Sequence, residues 1–167
     1  EGRPRVQSEQ ELLPHRIAPE PAEAPRRWWP WLGAGLSLAI AIVLGARRHL
    51  RVVAAAALPL WLLCGIAGVV MLYLWGFSQH HAGWANRNLL LLNPLCLLLL
   101  PGAIQVLRQR TPAAWFSWLA LAVAGGALLA WFLHWLPLAP QYNQAWVALL
   151  LPVHLALAHV FRPKYLS

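Results

Sequence analysis

A chain of 167 residues that is 60% hydrophobic and only 11% charged, with a mean hydropathy of +0.54, has too little polar surface to clothe a water-soluble domain. The formal charge of +8 does not point to a nucleic-acid partner either: all the acids, Glu1, Glu9, Glu11, Glu20 and Glu23, stand near the start beside Arg3, Arg5, Arg16, Arg26 and Arg27. The other cations punctuate apolar runs without any acid, which is a membrane-topology signal rather than a phosphate-binding stripe.

Segment 1–27 is rich in proline (Pro4, Pro14, Pro19, Pro21, Pro25) and poor in large apolar residues, so a poorly ordered linker is expected there. It opens at Glu1 with no charged region leading into an apolar one, so no signal peptide is expected in it. A linker that begins without Met is expected to continue an upstream segment.

The apolar runs then predict an all-α integral membrane bundle of about five transmembrane helices, at 28–45, 52–77, 89–107, 113–136 and 145–161, with a short tail at 162–167. Trp28, Trp29, Pro30 and Trp31 open the first, and Arg47, Arg48 and Arg51 close it. The polar loop Ser78–Asn88 follows the second. In the third, Asn93-Pro94 reads as an N-cap and first-turn proline, which leaves Leu89 to Leu92 as apolar loop, and Pro101-Gly102 is expected to kink the helix. Thr111-Pro112 reads as the cap of the fourth. Irregular backbone at membrane depth must be covered by protein or line a wet cavity, so the start of the third run is the most informative place in the chain.

Five spans put the two termini on opposite sides. Arg47, Arg48, Arg51, Arg108, Arg110, Arg162 and Lys164 gather on one side, whereas Arg87 and the arginines of the N-terminal linker lie on the other. The positive-inside rule makes the first side cytoplasmic and the linker extracytoplasmic, although Arg26-Arg27 pulls the other way.

The outer loop collects His80, His81, Asn86, Arg87 and Asn88, and Asn93 follows. Imidazole can act as base or ligand, amides can hold a carbonyl or head group, and Arg87 can pair a lipid phosphate. The plainer role for the same residues is to cap helices and tie the loop to the bundle. His154, near the middle of the last run, is an intramembrane polar candidate: a functional group by default, or a neutral imidazole bonded across helices, which is the plainer role. A small transporter built on His154 is the corresponding weaker option. His80, His81 and His134 lack any carboxylate nearby, so no metal and no cofactor are expected. Cys64 and Cys96 differ in depth by roughly 9 Å at 1.5 Å per residue, so two buried thiols are expected rather than a disulfide. Trp115, Trp118, Trp131 and Trp135 form an aromatic belt, and no GxSxG, HExxH or phosphate-binding loop is present.

The stretch Phe77-Ser78-Gln79-His80, five residues, then Asn86-Arg87-Asn88-Leu89-Leu90 and Asn93-Pro94 resembles the C-terminal membrane region of Lnb-type bacterial lipoprotein N-acyltransferases and their uncharacterised relatives. The family pattern is an apolar span ending Phe-Thr-Asp-His, five residues, Asn-x-Asn-Leu-Leu and a nearby Pro. Gln79 replaces its aspartate, so the resemblance supplies no acid at that position. The resemblance implies a bacterial inner-membrane domain, multi-pass, with the N-terminus outside and the C-terminus cytoplasmic. It also implies that an extracytoplasmic domain, absent from this chain, carries the acyl-transfer nucleophile. The expected function is therefore to anchor that domain and to present a membrane phospholipid or lipoprotein substrate through the outer loop, with no catalytic residue in the chain itself. The alternative is a non-enzymatic interaction subunit that holds a partner membrane protein in an envelope complex.

Overall fold

A computed structural model describes residues 27–78, 86–136 and 143–163, and every regular element in them is helical. Four α-helices, α1 (Trp29–Phe77), α2 (Cys96–Leu107), α3 (Ala114–His134) and α4 (Gln144–Val160), are joined by a short 3-10 helix at Arg87–Leu90. The linker 1–26 and the loop positions Gln79 to Ala85, with His80 and His81, lie outside the described residues.

Pro30 sits in the first turn of α1, where its missing N–H costs nothing, and the Trp28 carbonyl accepts from the N–H groups of Trp31 and Leu32 at 3.1 and 3.2 Å. The helix is not straight. His49 leaves helical geometry at φ −139°, ψ 57°. Leu38 and Leu60 line one cavity of about 250 Å³ with Leu149 and Leu157, although a straight helix would hold them roughly 33 Å apart. The chain therefore doubles back at His49, and α1 is two antiparallel rods, 29–48 and 50–77. The sequence places a loop at 46–51, but the reversal needs only one non-helical residue. Its arginines sit on the flanking turns, because nothing in Arg47-Arg48-His49 stops helix formation.

Differences of the same kind appear at two helix starts. Asn93 accepts from the N–H of Leu95 at 3.0 Å, so its side chain caps a turn, but regular α-helix begins only at Cys96. Thr111 and Pro112 likewise precede α3, whose cap position is Ala113. At its far end α2 closes with a Schellman pair of bonds, Arg110 N–H to the Gln105 carbonyl at 2.9 Å and Gln109 N–H to the Val106 carbonyl at 3.0 Å, with Gln109 left-handed at φ 58°.

The helices pack through small residues. Ala54, Ala57, Ala103, Ala120, Ala124, Ala127 and Ala148 are all buried, which is how helices approach when lipid supplies no hydrophobic drive between them. Gly35 of α1 lies so close to α4 that a Cβ there would stand 2.6 Å from the Leu149 carbonyl oxygen and 2.7 Å from that of Ala148. Pro152 has no N–H to offer the Ala148 carbonyl one turn back, and the bare Gly35 backbone covers it. Near the arginine-bearing end Trp61, Phe116 and Phe161 pack as an aromatic triangle with ring centroids 5.2–6.0 Å apart. Ser117, buried beneath it, donates its hydroxyl to the Phe161 carbonyl at 2.6 Å. Outward the surface is apolar, with Leu63 68%, Val52 65% and Phe132 60% exposed, a covering suited to lipid and not to water. Cys64 and Cys96 are buried free thiols.

Candidate functional site

At the end of the bundle opposite the arginines, residues 86–95 form an irregular stretch wedged among α1, α3 and α4. It begins with Asn86, whose extended backbone cannot continue a helix, and whose Oδ1 accepts from the N–H of Asn88 at 3.0 Å. That cap starts the 3-10 turn. The carbonyl of Asn88 accepts from the N–H groups of Leu91 and Leu92 at 3.0 and 2.7 Å, and the chain then turns through Asn93-Pro94 into α2.

Three side-chain bonds hold the stretch in place. Arg87 donates from Nη1 to the Leu133 carbonyl at 2.8 Å, one of the last carbonyls of α3, where a cation also meets the negative end of the helix dipole. Asn143, 5% exposed at the start of α4, donates from Nδ2 to Oδ1 of Asn88 at 3.0 Å. His154 donates from Nε2 to the Leu91 carbonyl at 3.2 Å, and both residues are fully enclosed. A fourth contact, Gln144 Nε2 to His134 Nε2, joins the start of α4 to the end of α3. Nδ1 of His154 is buried without a hydrogen-bond partner among the described residues, so the ring's one bond there is through Nε2.

Glycines set the depth of the wedge. At Gly68 a Cβ would stand 2.2 Å from the Leu92 oxygen and 2.6 Å from the Pro94 nitrogen, and at Gly126 it would stand 3.1 Å from the Leu90 oxygen. Gly68 lies roughly 14 Å along the helix from the end of α1 at Phe77. The irregular backbone therefore reaches well below the helix ends and is covered by protein, as non-helical backbone at such depth must be.

Of the residues singled out from the sequence, Asn86, Arg87, Asn88 and Asn93 are together in this wedge, and His154 reaches it from below through Leu91. His80 lies outside the described residues. The asparagines act first as hydrogen-bonding joints: Asn86 and Asn93 cap turns, and Asn88 meets Asn143. Sequence reasoning missed Asn143 and Gln144. The signal was an Asn directly before an apolar helical run, normally an N-cap; here its side chain makes no cap bond and spends its donor on Asn88. No group of three or more metal-ligating side chains occurs among the described residues.

A family model described as the Lnb transmembrane domain matches residues 31–164. No curated protein and no solved structure matches the chain. The match takes in both rods of α1, the wedge and α2 to α4. The chain belongs to the Lnb transmembrane domain family.

Proposed function

We propose that this domain anchors and serves an extracytoplasmic lipoprotein N-acyltransferase-like domain at the outer face of a bacterial inner membrane. The observation that carries this reading is the family match over 31–164. In this reading the chain crosses five times, by the two rods of α1, the wedge continued by α2, α3 and α4, and the family's own designation, which counts five transmembrane helices, supports that number. α2 alone, at 12 residues or about 18 Å, is too short to cross, but with the wedge above it the span is complete. The arginine-bearing end is cytoplasmic by the positive-inside rule.

In this reading the wedge is a fixed ledge at the outer leaflet. Asn86, Asn88 and Asn93 hold its shape, Arg87 meets the phosphate of a phospholipid or lipoprotein head group, and the sequence alone adds His80 as a substrate contact. The half-buried position of Arg87, next to the turn that Asn86 caps, supports that role. The reacting groups belong to the extracytoplasmic domain. Acyl transfer to lipoprotein amino termini should therefore be absent from residues 1–167 assayed alone, and transfer by this chain alone would overturn the proposal. With the catalytic domain present, His80→Ala/Asn86→Ala/Asn88→Ala at wild-type abundance should lower transfer at least tenfold; undiminished transfer would reduce the ledge to a structural joint. A stoichiometric membrane partner with no catalytic domain, recovered in mild detergent, would favour an interaction subunit instead.

A further inference from the structure

The opposite end of the bundle holds a second feature, unconnected with the ledge. Where α1 doubles back, Arg48, His49, Arg51, Val52, Ala55 and Leu107 surround an open cavity of about 560 Å³. The break at His49 creates it. Arg48 is the last residue of one rod and Arg51 lies in the first turn of the next, and both line the cavity together with Leu107 of α2.

These two guanidinium groups have no carboxylate within the membrane domain, because the last Asp or Glu in the chain is Glu23. The linker that holds those acids joins the bundle at Trp28, a full rod length of roughly 30 Å from Arg48. No Asp or Glu stands among the described residues to compensate the two arginines. Arginine pairs phosphate through two parallel N–H bonds, and a cavity at a helix bend by the membrane edge is within reach of lipid phosphates. Val52, Ala55 and Leu107 give it an apolar wall beside the arginines. A free phosphate would gain nothing from that wall, whereas a lipid's glycerol and first methylenes would. Two arginines side by side also repel the ammonium of a zwitterionic head group. Basic pockets between transmembrane helices at a cytoplasmic face bind anionic lipids by this combination.

We propose that this cavity is a binding site for an anionic phospholipid of the leaflet at the arginine-bearing end. The site does not depend on the acyltransferase reading, and the lipid would brace the bend of α1.

The test is native mass spectrometry of the full chain in mild detergent, with phosphatidylglycerol, phosphatidylcholine or inorganic phosphate added. The wild type should retain phosphatidylglycerol at least tenfold better than phosphatidylcholine, about what two arginines contribute. Arg48→Gln/Arg51→Gln should abolish that preference. Arg108→Gln/Arg110→Gln, which removes equal charge at the same end but outside the cavity, should keep it. Ala55→Phe fills the cavity at an exposed position with every charge intact, and should also lose the lipid, which keeps the test decisive if the arginine pair fails to fold. No preference in the wild type, equal losses from the two arginine pairs, or full retention by Ala55→Phe would each overturn the proposal. Displacement of the lipid by millimolar phosphate would overturn it in favour of a free-anion site.

Discussion

Hydrogen bonds inside lipid are worth most where the alternative partner is nothing at all, and the Asn88–Asn143 pair is such a case. Asn143 is buried and its Nδ2 has the Asn88 amide oxygen at 3.0 Å. Membrane double-mutant cycles give about 0.6 kcal/mol on average for such a bond, and up to about 1.7 kcal/mol. A cycle of Asn88→Ala, Asn143→Ala and the double variant, read by unfolding in mild detergent, should give a coupling of about 1 kcal/mol. Additive effects would show that the two side chains do not share a bond. Asn88 and Asn93 stand out in the sequence as polar residues at an apolar boundary, whereas nothing singles out Asn143, since a residue's spacing does not reveal which way its donor turns. The Leu91 carbonyl carries the same lesson: His154 serves it, so what the sequence presents as a lone intramembrane imidazole is, in the fold, the donor for backbone that no helix satisfies.

At the level of elements, glycines sort the contacts into tight and open ones. Gly68 faces backbone atoms of the wedge, which cannot swing aside as a flexible side chain would, so Gly68→Ala should destabilise the bundle by several kcal/mol and lower its detergent melting temperature. Gly125 has nothing within 4 Å of an added Cβ. Gly125→Ala should be neutral or stabilising, by up to about 1 kcal/mol from helix propensity. If the two variants melted alike, the wedge would not be seated on α1 as described. The Gly125-Gly126 pair is visible in the sequence as a close-packing signal, but only one of the two faces the wedge. Hydropathy cannot tell them apart, because both neighbours are apolar. The reversal of α1 was likewise half legible: the arginines mark where the lipid-facing run pauses, whereas the sharpness of the turn depends on the two rods packing against α4 together.

For the whole molecule, the asymmetry of charge is the leading physical fact. Arg48, Arg51, Arg108, Arg110 and Arg162 occupy one end, and Arg87 is paired to α3 at the other. With Cys64 and Cys96 replaced by alanine, a membrane-impermeant maleimide should label a single cysteine placed at Ser78 in intact cells, and one placed at Arg110 only once the membrane is opened. Labelling of both from one side would reverse or break the five-crossing topology. That this is a helical membrane domain was legible in its composition and its long apolar runs, because a chain with so few charges has no soluble way to bury its apolar surface and runs of that length span as helices. The family, too, was legible in the residues from Phe77 to Pro94. Which groups meet at the ledge was decided only by tertiary structure: Arg87 with Leu133, Asn88 with Asn143 and His154 with Leu91 are partners 46, 55 and 63 positions apart. Periodicity sets which face of a helix is apolar. The pairing of polar groups across helices is set by how deep and at what rotation those faces come together, and in this chain glycines at the contacts set that depth.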